Sequence, residues 1–158
     1  VRDLVAKMKL IPVEELIEGN KLLFCEDSIV RGTQLSDIIK RLFDRGALEV
    51  HMRPACPPLL HSCKFLNFSQ SKSELDLAGR RAIVDLEGNG EPRLDDYADP
   101  DSGDHAAMVE RIGERLQLTS LKYQRLDDMI EAIGLPREKL CTYCWNGEEL
   151  FGGPGTAD

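Results

Sequence analysis

Apolar residues run unbroken from Leu22 to Cys25, between Lys21 and Glu26. A run this short and this dense predicts a strand over residues 21–26, with Cys25 inside the core. The spacing then changes. Leu35, Ile38, Ile39, Leu42 and Phe43 fall at i, i+3, i+4, i+7 and i+8, which predicts an amphipathic helix over residues 34–45. Gly46 follows as a natural helix terminator. Leu48–Met52 reads as the next strand, ended by Pro54, Pro57 and Pro58. Strand, helix and strand make one βαβ unit with a parallel sheet and a right-handed crossover.

Beyond this unit the pattern is helical. Ser73-Glu74-Leu75-Asp76 reads as a helix start, with the helix running to Leu86. Residues 88–103 are rich in Gly, Pro and Asp and read as a long surface loop. Asp104–Leu116 predicts a helix with Met108, Val109, Ile112 and Leu116 on one face. Arg125–Ile133 predicts another, with Leu126, Met129, Ile130 and Ile133 inward, stopped by Gly134 and Pro136. The expected class is α/β: a parallel sheet flanked by helices, one domain over residues 1–150 and a flexible tail over 151–158.

Length and composition fit that picture. The 158 residues can bury a core, and 42% hydrophobic content is ordinary. The formal charge of −8 is concentrated. Residues 85–110 hold nine acids and one Arg, and the rest of the chain is balanced. That acidic segment reads as a solvated face or loop, with a subunit contact as the other use. No basic patch argues for nucleic acid. No run approaches the roughly 20 apolar residues of a membrane span, and the start lacks a signal peptide's apolar core. The expected setting is cytoplasmic. Five cysteines without a secretion signal favour reduced thiols or metal ligands. Val1 in place of an initiator Met suggests part of a longer protein.

The candidate chemistry sits where the first strand meets the first helix, in Glu26-Asp27-Ser28-Ile29-Val30-Arg31-Gly32-Thr33. Ligands bind at the carboxyl ends of strands in open α/β sheets. Free N–H groups at the following helix start, with the helix dipole, favour a phosphate there. Gly32 lets the backbone come close, and Ser28 and Thr33 add hydroxyls. Glu26 and Asp27 suit a different group, either ribose hydroxyls or Mg²⁺. A plain strand followed by a capped polar turn is the competing reading.

This stretch resembles the phosphoribosyl pyrophosphate (PRPP) loop of type I phosphoribosyltransferases, and within them the glutamine amidophosphoribosyltransferase family. Lys7-Met8-Lys9-Leu10-Ile11-Pro12-Val13, Gly46-Ala47, Val50-His51, Pro57-Pro58, Cys63, Thr119–Tyr123 and Cys141-Thr142-Tyr143-Cys144 follow in the family's order. The likeness leaves out residues 76–110, which read as an acidic insertion. It implies a type I phosphoribosyltransferase fold, truncated at its N-terminus. It implies that Glu26 and Asp27 bind the ribose hydroxyls and Mg²⁺, and that Ser28 through Thr33 wrap the 5-phosphate. The implied reaction joins ammonia to C1 of PRPP and expels pyrophosphate, giving 5-phosphoribosylamine at the first step of purine synthesis. The implied partners are PRPP or a purine nucleotide, an upstream glutaminase domain of the same enzyme, and further copies in a homo-oligomer. Little turnover is expected of this chain alone. The chain departs from the family in three places: Glu26 in place of Asp, Gln34 in place of a second Thr, and Ala55-Cys56 in place of a Ser pair.

Cys141-x-x-Cys144 puts two thiols within reach of one metal, and Cys63 is a candidate third. The resemblance implies three of the four ligands of a [4Fe–4S] cluster; zinc and free thiols are the rivals. Cys56 is uncommitted. His61 is a minor candidate ligand. His51 reads as a packed or edge residue, His105 as part of a helix start, Trp145 as a shield for the C-terminal turn, and Arg31 as an anion guide or a solvated side chain. Two other functions stay open. One is a noncatalytic PRPP- or nucleotide-sensing module. The other is a zinc-bound scaffold with an incidental loop.

Overall fold

A computed structural model describes residues 13–65, 73–88 and 93–149. It has a three-stranded parallel sheet in the order β1-β2-β3, formed by β1 (Lys21–Glu26), β2 (Glu49–Pro54) and β3 (Ser120–Leu121). Helix α1 (Glu14–Ile17) precedes β1, and α2 (Thr33–Asp44) crosses from β1 to β2. Helices α3 (Ala78–Glu87), α4 (Leu94–Ala98) and α5 (Gly103–Arg115) lie between β2 and β3, and α6 (Leu126–Ile133) and α7 (Tyr143–Asn146) follow. The predicted βαβ unit is present, in register from Lys21 opposite Glu49 to Glu26 opposite Pro54.

β2 is the central strand, and its side chains alternate as a half-covered strand requires. Val50, Met52 and Pro54 are buried while Glu49, His51 and Arg53 stay half-exposed. Ile39 and Leu42 of α2, Leu60, Ile83 of α3, and Met108 and Ile112 of α5 close over Val50 and Met52 in one core. On the other face, His51 bonds Ser120 Oγ through Nδ1 and the Glu49 carboxylate through Nε2, both at 2.8 Å. His51 is therefore a packed strand residue. Among the described residues, no helix is long and apolar enough to cross a membrane.

Four expectations need correction. Cys25 is exposed, not core, and Leu23 is 64% exposed. Both lie on an edge strand, on the face turned away from the core, so a continuous apolar run does not here mean burial on both sides. Residues 88–103 are not all loop. Leu94–Ala98 is helical, and it buries Tyr97, whose hydroxyl donates to Glu87 at 2.6 Å. The acidic segment is accordingly not just a solvated face, since Tyr97 and Met108 belong to the core. The helix predicted from Ser73 is split. Ser73 caps a short 3-10 turn (Glu74–Asp76), and buried Leu77 is extended before α3 begins. Finally, α6 has no fully buried residue, and Ile133 is 49% exposed. Its apolar stripe lies along the surface, half-covered. The predicted tail over 151–158 lies outside the described residues.

Candidate functional site

The loop after β1 is shaped by what holds it from behind. Ile29 turns into the core and is 3% exposed, so it offers only its backbone to the loop. The Val30 carbonyl accepts the Ala78 N–H at 2.8 Å. Extended Leu77 frees that N–H to point across the chain and not along a helix. The Arg81 guanidinium donates to the Arg31 carbonyl. The start of α3 thus clamps two successive loop carbonyls.

Gly32 then turns the chain into α2. Its φ is +73°, in the left-handed region, and a Cβ there would meet Leu116 Cδ2 at 3.0 Å. Both facts favour glycine. Gly32 caps α2 through its backbone, and the Ser36 N–H returns to the Gly32 carbonyl at 3.0 Å. Among the described residues, no side chain caps this helix. Its first-turn amides therefore have no side-chain acceptor and face a ligand-accessible end.

In front of the loop is a cavity of about 390 Å³, lined by Glu26, Ser28, Arg31, Gly32 and Thr33 among others. Every sequence-predicted residue from Glu26 to Thr33 lines it except Asp27. Asp27 Oδ1 instead accepts its neighbour's Ser28 N–H at 2.6 Å. Its charge reaches Cys56, whose thiol is pushed up by burial first and by Asp27 in addition. Glu26 and Asp27 form no ion pair among the described residues. Two adjacent exposed carboxylates without a cation suit a metal or a diol in kind.

The cysteines come together from opposite ends of the chain. The Leu60 and His61 N–H groups both donate to the Cys144 carbonyl, at 2.9 and 3.0 Å, which ties the segment before Cys63 to α7. Cys63 is buried, Cys144 half-buried and Cys141 exposed. Burial, with Cys63 and then Cys141 close by, pushes the Cys144 thiol up to about 12. Even so, no three His, Cys, Asp or Glu side chains among the described residues are arranged to hold a metal ion. The donor set fits a thiophilic metal or cluster in kind; the present spacing is not closed around one. The His61 ring packs tilted on Tyr143, 5.3 Å between centroids, and burial holds its pKa low. His105 sits in the first turn of α5, its Nδ1 bonded to the Tyr97 carbonyl at 2.8 Å. Trp145 lies half-buried in α7.

Sequence reasoning missed Arg81 and Ala78 as loop supports. They lie about fifty residues beyond the loop, and no local pattern marks a contact of that range.

No family model matches the chain. Curated relatives do. Amidophosphoribosyltransferase 1, chloroplastic, of Arabidopsis thaliana is 31% identical over 148 residues, 94% of this chain and 21% of that protein. The amidophosphoribosyltransferase of Methanothermobacter thermautotrophicus is 29% identical over 147 residues, 93% of this chain and 25% of its own. A chloroplastic amidophosphoribosyltransferase of Vigna aconitifolia is 47% identical over 75 residues, 48% of this chain and 16% of its own. Along nearly its whole length, this chain is similar to amidophosphoribosyltransferases. It spans a quarter or less of the length of these three. Two solved structures share the fold. One is glutamine PRPP amidotransferase from B. subtilis complexed with ADP and GMP, with a TM-score of 0.61 at 20% identity over 94% of this chain and 30% of that one. The other is the allosteric regulatory enzyme of purine biosynthesis, with a TM-score of 0.61 at 20% identity over 93% and 28%. The α/β fold with a parallel sheet is that of the amidotransferases' phosphoribosyltransferase part.

Proposed function

We propose that this chain supplies the PRPP loop of an amidophosphoribosyltransferase, the enzyme that converts PRPP and glutamine-derived ammonia to 5-phosphoribosylamine and pyrophosphate. One observation carries the reading: the first-turn amides of α2, capped only by the backbone of Gly32, open beside Glu26 into a cavity of about 390 Å³.

In this reading the α2 amides and the Ser28 and Thr33 hydroxyls hold the 5-phosphate by charge-assisted hydrogen bonds. Glu26 accepts hydrogen bonds from the ribose hydroxyls on the same side. Asp27 joins it by releasing the Ser28 N–H to the phosphate. With both ends of the ribose phosphate fixed, C1 is presented to ammonia in one orientation. Glu26 and Asp27 are the residues that would hold Mg²⁺, which when bound stabilises negative charge on the departing pyrophosphate. Cys63, Cys141 and Cys144 would supply three ligands of a [4Fe–4S] cluster, whose contribution is to cross-link the segment after β2 to α7. A glutaminase domain of the same enzyme, providing the ammonia, and assembly with further copies complete the proposal.

Calorimetry tests the loop. Ribose 5-phosphate with Mg²⁺ is expected to bind the chain, and ribose alone is not. Replacing Glu26→Gln and Asp27→Asn together weakens binding about tenfold. Equal affinity for ribose and its phosphate ester would sink the reading. A purine nucleotide carries the same 5-phosphate, and the B. subtilis relative is complexed with ADP and GMP. That favours, as a second reading, a noncatalytic nucleotide-sensing role for the same loop. Turnover separates the two: pyrophosphate release from PRPP and ammonium by the whole enzyme, lost in the double variant, supports catalysis. The 158-residue chain alone is expected to bind and to release little pyrophosphate.

A further inference from the structure

A second cavity, of about 400 Å³, lies against the same loop. Glu26 does not line it. Its walls are Arg31–Thr33, the first turn of α2, and parts of α3 and α5. Three arginines meet there, Arg31, Arg81 and Arg115, and one carboxylate, Asp37, lines the cavity with them.

We propose that this cavity is a binding site for a tetrahedral oxyanion of the phosphate class, held by Arg81 and Arg115 with the hydroxyl of Ser36. The site goes beyond the ribose phosphate site and does not depend on it.

The charge balance supports it. Arg115 shares its charge with Asp85 on α3, and Asp85 is also bound by Arg111. Arg81 spends one N–H on the Arg31 carbonyl, but its Nε–H is buried without an acceptor among the described residues. An orphaned donor on a charged group is costly, and a ligand oxygen would satisfy it. Burial, then the neighbouring Arg115, holds the Arg81 pKa down, and Asp76 and Asp85 offset part of that. Guanidinium forks match phosphate oxygens in pairs, which a chloride ion cannot exploit. The Ser36 hydroxyl, on the wall of the cavity, adds a donor.

Titration of the full chain with inorganic phosphate tests this, at constant ionic strength and with ribose 5-phosphate and Mg²⁺ saturating. One phosphate site is expected. Arg81→Gln and Arg115→Gln should each weaken it about tenfold. Arg111→Gln, which removes a charge and an Asp85 partner on the same helix but outside the cavity, should change it by less than about twofold. In the wild type the Arg81 Nε–H resonance should shift as phosphate is added, a readout that does not depend on any variant folding. The proposal is overturned if phosphate does not bind, if chloride competes equally, or if Arg111→Gln weakens binding as much as Arg115→Gln. It is also overturned if ribose 5-phosphate abolishes phosphate binding, since the two anions would then share one site. Should ribose 5-phosphate itself not bind, the titration without it still decides through Arg81.

Discussion

Gly32 shows at the residue scale why the loop motif could be read from sequence. A backbone that must enter a helix from a left-handed turn, against a packed leucine, leaves little choice of side chain. Gly32→Ala would force a Cβ to 3.0 Å from Leu116 Cδ2 and hold alanine at φ +73°. We expect a loss of about 1–2 kcal/mol in urea unfolding. Ribose 5-phosphate affinity should fall as well, because the first-turn amides move with residue 32. A variant as stable as the wild type would mean that the turn is not built this way. Glu26 to Thr33 were legible for the same reason: their geometry is local, a strand end, a turn and a helix start in sequence order. The residues that hold the loop were not legible. Ala78 and Arg81 reach it only once the chain has folded back, and their spacing signals nothing but a helix. The resemblance implies that Asp27 binds ribose and Mg²⁺ beside Glu26; its carboxylate accepts the adjacent Ser28 N–H, a competition no motif displays.

Elements were legible where their apolar period was complete and hidden where the element was too short to show one. Helix α2 has five apolar residues in phase, and its predicted range is one residue from the observed one. Helix α4 is five residues long, with Tyr97 buried and Leu94 and Ala98 packed half-covered beside it, so its acidic surroundings masked it. Edge strand β1 misled in the opposite way, because apolar sequence does not reveal whether a second layer covers it. The role of Tyr97 is testable through pH. Burial and the Glu87 carboxylate raise its pKa above the usual tyrosine range, so the folded state keeps the proton that the unfolded chain gives up near pH 10. Its contribution is complete below about pH 10 and is lost as pH rises beyond it. Tyr97→Phe should cost about 1 kcal/mol at pH 7, by loss of the Glu87 bond, and should flatten the alkaline fall in urea midpoint. Equal alkaline slopes for both proteins would refute the assignment. Asp85 works at the other end of the scale. Arg115, then Arg111, lowers its pKa, so its stabilisation is present above the ordinary carboxylate range and disappears as pH falls through the lowered value. Asp85→Asn should therefore lower the thermal midpoint at pH 7 and converge with the wild type in acid. The effect should be under about 1 kcal/mol, as befits a pair near the surface.

On the scale of the whole molecule, the contacts that matter join distant parts of the chain, and the cysteines do this most directly. Cys63 follows β2, whereas Cys141 and Cys144 flank the start of α7, and two hydrogen bonds to the Cys144 carbonyl already draw the segments together. A thiol pushed up to about 12 stays neutral at pH 7 unless a cation favours the thiolate. A thiophilic metal would supply that charge, release protons on binding, and turn its binding energy into folding energy. Anaerobic reconstitution with iron and sulfide should therefore give a brown protein whose thermal midpoint rises. Cys63→Ser and Cys144→Ser should each lose both the colour and the added stability. Cys25→Ser, an exposed edge-strand thiol outside the group, should keep them. Colourless protein that takes up zinc through the same cysteines would replace the cluster with a zinc site, and iron retained in the Cys63 and Cys144 variants would remove these residues from any metal centre. The three cysteines were legible as a set because the family likeness supplied their order. Their convergence was not, because it depends on how the segment before Cys63 is tied to α7, and that tie is made by backbone groups whose positions only the folded chain fixes.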